Sequence, residues 1–535
     1  MKLKQEELKN KKIWEDAGFE LPAFDREQMI EETKKNPEWV HFGAGNIFRA
    51  FPAAVCQELL NKGIMKTGIV VAEGYDYEII EKSYKKFDDL SVLVTLKPDG
   101  KLEKKVIASI AESHCVDTNN SKDWSRLCEV FRNPSLKMVS FTITEKGYSL
   151  VNGRQELLPD VAKDFTQKPS EATSYIGKLA ALCYERFSNG KLPVTLVSMD
   201  NCSHNGTKLE AAVTTFAKTW VENKIVEPEF LTYVTENISY PWSMIDKITP
   251  RPADSVIEML KSVGFEDTDS VVTSKNTYVA SFVNAEEPQY LVIEDKFMNG
   301  RLPLDQGGII YTDKETVDKV EKMKVCTCLN PLHTALAVYG CLLNYTKISD
   351  EMKDAELVKL VEKVGYVEGL PVVVDPGIIK PKDFIDEVIR VRIPNPFMPD
   401  TPQRIATDTS QKLSIRFGET IKAYEADPEL DPQALTYIPL VLAGWCRYLT
   451  GINDEGNAFE LSPDPMLTTL TPKFANIKLG DNNNVHEILA DLLADERIFG
   501  VNLYQVGLGE KVEGLFAELI SGKGAVRKTL KKYLN

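Results

Sequence analysis

Four short apolar runs in the first half of the chain most restrict what it can fold into. They are "WVHFGAG" (39–45), "TGIVVAEG" (67–74), "KMVSFTITEKG" (137–147) and "LPVTLVSMDN" (192–201). Each is rich in β-branched residues and closes on glycine or polar residues. Such runs read as buried parallel strands, with functional loops at their carboxyl ends. Helical patterns separate them, so the expected unit is βαβ. From about Tyr311 onward the period changes. "DKVEKMKVCTCLNPLHTALAVYGCLLNY", "AELVKLVEKVGYVEGL", "PKDFIDEVIRVRI", "PQALTYIPLVLAGWCRYLTG" and the last fifty residues repeat apolar positions at three and four, as helices do. The expected fold class is α/β: a Rossmann-type domain over 1–279, then a mostly helical substrate and catalytic domain over 280–535.

The first run is also a candidate cofactor site. Gly43 and Gly45 supply the tight turn and close backbone approach that a pyrophosphate needs, and Asn46 and Ile47 open the following helix. The third small residue of G-x-G-x-x-G is replaced by Phe48, so the fingerprint is incomplete. The second run ends in Glu73. An acid there accepts hydrogen bonds from the adenosine ribose and repels a 2′-phosphate, which favours NAD over NADP.

Composition narrows the partners. A net charge of −15 over 535 residues argues against nucleic acid, whose phosphates need a basic surface. Nine cysteines in no disulfide-scaffold spacing suit a reducing cytoplasm. The N-terminus lacks the apolar stretch of a signal peptide, and no membrane span is expected.

Beyond the runs, "HFGAGNIFRA", "SFTITEKGY", "LVSMDNCSHNG", "YPWSMIDKITP" and "NPLHTALA" occur in this order. Together they resemble the polyol-specific long-chain dehydrogenases, the mannitol dehydrogenase family, from about residue 38 to the C-terminus. The resemblance implies NAD(P), no metal, and hydride transfer between a nicotinamide and the CH–OH group of a polyol or sugar acid. It implies a catalytic lysine with asparagine at +5 and histidine at +8, the last two matching Asn330 and His333. Asn201 joins Asn330 as an oxyanion-type donor pair. Asp246 and Glu145 are implied near the substrate, although an acid such as Glu145, buried beside a lysine, reads equally as a structural ion pair. Arg392 is implied as a holder of hydroxyls or a carboxylate. Arg404 and Lys412 are weaker candidates, since such charges are usually solvated. The preferred substrate pair is fructuronate and mannonate; mannitol/fructose and tagaturonate/altronate are the alternatives. A dinucleotide-binding protein without catalysis is the competing class.

The lysine does not fit cleanly. Position 325 is valine, and Lys324 comes one residue too early. On an unbroken helix Lys324 and His333 lie about 180° apart, whereas Lys322 and His333 lie about 20° apart. A one-residue bulge restores Lys324, and bulges of that kind often sit at functional sites. Lys324 is the preferred base, with the expectation that the backbone between it and Asn330 is irregular. Its pKa is expected to fall toward neutrality. Cys326 and Cys328 form C-x-C, which matches neither a zinc nor a redox spacing, and are expected to pack as small apolar residues.

Overall fold

The computed structural model describes residues 1–481 and 483–535. Its residues separate into two compact units, Met1–Asp318 and Lys319–Asn535.

The first unit has fifteen strands among its described residues: β1 (Phe19–Glu20), β2 (Trp39–Phe42), β3 (Ile69–Glu73), β4 (Ser91–Leu96), β5 (Leu102–Ile107), β6 (Ile110–Cys115), β7 (Met138–Phe141), β8 (Val194–Ser198), β9 (Ile238–Ser239), β10 (Ser243–Asp246), β11 (Ser270–Val272), β12 (Tyr278–Ala280), β13 (Phe282–Glu286), β14 (Tyr290–Glu294) and β15 (Ile310–Thr312). Six of them form an all-parallel sheet in the order β6-β3-β2-β7-β8-β9. Counted along the chain within this sheet, that is the doubly wound order 3-2-1-4-5-6. The four apolar runs are its central strands, and every residue of β2, β3, β7 and β8 is buried.

Period-two alternation divides their side chains between two cores. Val40, Phe42, Val70, Ala72, Val139 and Phe141 pack on one face with the helices Tyr175–Ser188 and Asn205–Glu222. Trp39, Ile69, Val71 and Met138 pack on the other with the helix Pro52–Asn61. The strand order reverses between β2 and β7, so the loop after β2 sits at the topological switch point where such sheets bind ligands.

The border lies later than the expected 279/280. Residues 280–312 belong to the first unit because their strands pair into it. β13 runs parallel to β4 in the sheet β1-β5-β4-β13, and β14 joins β10 and β15 in a second small sheet. Non-local pairing of this kind leaves no mark on local periodicity.

The second unit is helical. Its two most buried helices are Asn330–Leu342 and Tyr437–Tyr448, each exposing almost nothing. They meet closely at Gly444, where a Cβ would lie 2.7 Å from the Tyr339 ring, and the Tyr339 hydroxyl donates to the Leu440 carbonyl at 2.8 Å. The helical run Lys314–Leu342 is long and apolar enough to cross a membrane, a length the sequence reading did not credit to it. In the fold 78% of its most apolar window is buried, the pattern of a core helix.

Among the described residues four π-helical segments interrupt this unit: Met323–Cys328, Lys363–Gly369, Val388–Arg392 and Ser414–Gly418. A fifth, Ile80–Tyr84, is in the first unit.

Candidate active site

The glycine turn is built as its chemistry requires. Gly43 adopts φ +106°, and a Cβ there would lie 2.6 Å from the Thr142 carbonyl oxygen. Only glycine fits. At Gly45 a Cβ would meet nothing within 4 Å, so the backbone faces open space. Gly45, Asn46 and Ile47 are partly accessible, while their neighbours on either side are buried. This cradle fits a dinucleotide pyrophosphate. Phe48, which replaces the third glycine, is fully buried and stacks on His41 at 4.1 Å between centroids. Burial drives the His41 pKa from 6.5 down to about 3.

Glu73 does more than end a strand. Its carboxylate accepts from the Ala44 amide (2.8 Å), inside the glycine turn, and from the Tyr75 (2.8 Å) and Asp76 (3.1 Å) amides. It clamps the ends of β2 and β3 together.

The loop after β8 displays Asn201. Asp200 holds it by accepting from the Cys202 amide at 2.9 Å and from the Tyr148 hydroxyl. Asn205 bonds both Asp200 and Ser243, and at Gly206 a Cβ would lie 2.4 Å from the Tyr240 carbonyl. The spacing D-N-x-x-x-N-G is therefore a frame that leaves Asn201 exposed. Asp246 is buried at the end of β10. Glu145 differs from expectation: it is exposed, and its partner is Lys208. The helix Glu145–Tyr148 is one turn long and lies outside the sheet, so nothing covers its first residue.

In the second unit the anomalous spacing has a structural answer. The stretch Met323–Cys328 is π-helical, and the Leu329 amide donates five residues back to the Lys324 carbonyl at 3.1 Å. Pro331 lacks an N–H and cannot continue an α-helical ladder through this turn. The Cys326 carbonyl instead accepts from the Thr420 hydroxyl at 3.3 Å. Lys324 is buried at 6% exposure, while Lys322 is exposed. Cys328 is fully buried, and burial raises its thiol to about 12, as a packing residue requires; Cys326 is half-buried.

Asn330 opens the next helix, followed three residues later by His333. Cations surround His333. Burial first, and then Arg392, Arg416 and Arg404, hold its imidazole well below its ordinary 6.5, against an opposing pull from Asp400. Arg392 is buried at the end of the π segment Val388–Arg392. Arg404 ion-pairs with Asp400 on an exposed helix end. Arg416 donates to the Thr334 hydroxyl at 2.6 Å, and that hydroxyl donates to the Asn330 carbonyl at 2.9 Å. The chain of contacts ties Arg416 to the helix end carrying Asn330 and His333.

Two family models cover most of the chain: the mannitol dehydrogenase Rossmann domain over residues 37–306 and the mannitol dehydrogenase C-terminal domain over 316–514. The chain belongs to the mannitol dehydrogenase family. The change from one family domain to the other falls close to the border between the two units.

Among curated members, D-mannonate oxidoreductase of Thermotoga maritima is 54% identical over 534 residues, covering 99% of each chain. Of solved structures in the family, mannitol 2-dehydrogenase of Pseudomonas fluorescens, a ternary complex with NAD and D-mannitol, aligns with a TM-score of 0.69 at 25% identity over 99% of each chain. A substrate-free D-sorbitol dehydrogenase aligns with a TM-score of 0.79 at 24% identity, covering 95% of this chain and 97% of its own, and shares the fold.

Lys324, Asn330, His333 and Arg392 thus lie in the helical unit, and Gly43, Gly45, Asn46, Ile47 and Glu73 lie at the carboxyl ends of β2 and β3, with Asn201 after β8, beyond β7 in the same sheet. Sequence reading missed Arg416 and Thr334. The one available signal was the closeness of Arg416 in sequence to Arg404 and Lys412, and charge alone did not separate a half-buried cation from an exposed one.

Proposed function

We propose that the protein is an NAD-dependent oxidoreductase that interconverts fructuronate and mannonate. The observation that carries this reading is the 54% identity to D-mannonate oxidoreductase along the full length of both chains. The site supports the chemistry. NADH, when bound, supplies the hydride that reduces the keto carbon. Gly43, Gly45, Asn46 and Ile47 hold its pyrophosphate, and Glu73 places a carboxylate at the strand end that receives the adenosine ribose.

Lys324 gives the proton that the keto oxygen takes up, and takes it back in the reverse direction. The Asn330 amide donates to that oxygen as negative charge develops on it, the role that the resemblance also implies for Asn201. His333 stays neutral at pH 7, because burial and three arginines oppose its protonation. It orients a substrate hydroxyl by hydrogen bonding. Arg392 holds hydroxyls of the substrate, and the resemblance implies Asp246 as a further substrate residue. Glu145, paired with Lys208 at the surface, is the remaining acid that the resemblance implies near the substrate. A small sugar acid is the partner, and the nine free thiols suit work in the reducing cytoplasm.

The test is NADH oxidation by the purified protein with fructuronate, tagaturonate and fructose side by side. The reading expects fructuronate to give the highest kcat/KM. A higher value with fructose or tagaturonate replaces the substrate. Tight NADH binding without turnover of any of the three supports the non-catalytic alternative.

A further inference from the structure

We infer that Arg416 is the counter-ion for the substrate's carboxylate, and that it selects acid substrates over neutral ketoses. The inference rests on the proposed uronate chemistry and adds to it the residue that reads the acid group.

Three arginines act on His333, and Lys412 lies near two of them; all but Arg416 have evident company or accessibility. Arg404 is largely solvent-exposed and paired with Asp400. Lys412 donates to the Thr407 carbonyl and feels the opposing charges of Asp408 and Asp464. Arg392 is buried and engaged in further contacts. Arg416 is different. A guanidinium has five N–H donors, and its single hydrogen bond among the described residues goes to a neutral hydroxyl, that of Thr334. No carboxylate of the described residues forms an ion pair with it. Desolvation lowers its pKa from 12.5 to about 10, with no acid opposing the shift. An arginine so placed is costly unless something anionic completes it.

The fold holds it there. Arg416 is the middle residue of the π segment Ser414–Gly418. That segment packs tightly at Gly418, where a Cβ would lie 2.1 Å from the Phe499 carbonyl oxygen. With Nη1 fixed on Thr334, the remaining edge of the planar guanidinium stays available for the two-point grip that arginine makes on a carboxylate. Thr334 adjoins His333 and bonds Asn330, so this edge lies beside the residues assigned to the reacting end. A uronate carries its carboxylate on the same molecule as its ketone; fructose carries none.

The experiment compares wild type with Arg416→Met and Arg416→Lys. Its readouts are kcat and KM for fructuronate and for fructose, NADH affinity by fluorescence, and Tm. The ratio of kcat/KM for fructuronate to that for fructose is expected to fall about 10- to 100-fold in Arg416→Met, mainly through KM for fructuronate. Arg416→Lys, which keeps the charge but loses the fork, is expected to recover part of the ratio. An unchanged ratio overturns the inference, whether both activities persist or both fall together. If Arg416→Met fails to fold, Arg416→Lys decides alone: a ratio equal to wild type overturns the inference, and a reduced one supports it. Failure of the underlying reading looks different, because wild type itself would then show no preference for fructuronate.

Discussion

Lys324 and Lys322 are two residues apart, and a straight helix would favour Lys322. The π turn buries Lys324 and leaves Lys322 in solvent. Lys324→Ala should therefore lower kcat by about 10²- to 10⁴-fold, the usual range for a lost general acid, while Lys322→Ala stays within about twofold of wild type, as expected of an exposed side chain. Steady-state kinetics with fructuronate decides, and the reverse pattern would sink the assignment.

His41 makes a second prediction at this scale. It is neutral in the folded state, with its pKa near 3, and titrates near 6.5 once unfolded. Between those values the unfolded chain binds a proton that the folded chain refuses, so stability falls as pH drops below 6.5. His333 acts in the same direction. Each contributes at most about 1.4 kcal/mol per pH unit. Denaturant unfolding at pH 7 and pH 5 should show a smaller acid loss in His41→Asn than in wild type. An identical loss would mean that His41 does not resist protonation. Nothing in a lone histidine on a strand announced this; burial between Ser140 and Thr142 decided it.

Among elements, the glycine turn was the most legible and the π segments the least. The turn was readable because the backbone at Gly43 admits only glycine, a local constraint. Its two glycines should nevertheless behave differently. Gly43→Ala forces a Cβ against Thr142 at a positive φ, and should cost about 1 kcal/mol or more of stability. Gly45→Ala meets no protein atom. It should leave Tm nearly unchanged and raise KM for NADH by about tenfold or more, as expected when amide–phosphate approach is blocked. Loss of Tm in Gly45→Ala, or unaltered KM, would argue against a pyrophosphate seat. The irregular helix before Asn330 was legible only as a counting mismatch. The other π segments left no such trace. One of them carries Glu368, whose carboxylate accepts from the Thr436, Tyr437 and Ile438 amides at the start of the helix Tyr437–Tyr448. A cap supplied from 68 residues away has no local signature.

For the molecule as a whole, the border between units makes the fourth prediction. A chain ending at residue 279 loses β13, β14 and β15, leaving β4 and β10 with unpaired edges. A chain ending at residue 318 keeps them. The longer fragment should be soluble and bind NADH, and the shorter should aggregate; equal behaviour of the two would move the border back toward 279.

The family resemblance implied the trio of lysine, asparagine and histidine, whereas the sequence by itself determined the doubly wound sheet, the helical second half and the glycine cradle. Each of those follows from local period or local conformation. Only tertiary structure decided where the first unit ends, which lysine is buried, that Glu145 is exposed, and that Arg416 has no ion-pair partner among the described residues. Those are matters of burial and partnership between residues far apart in the chain, and desolvation acts only once the fold has removed the water.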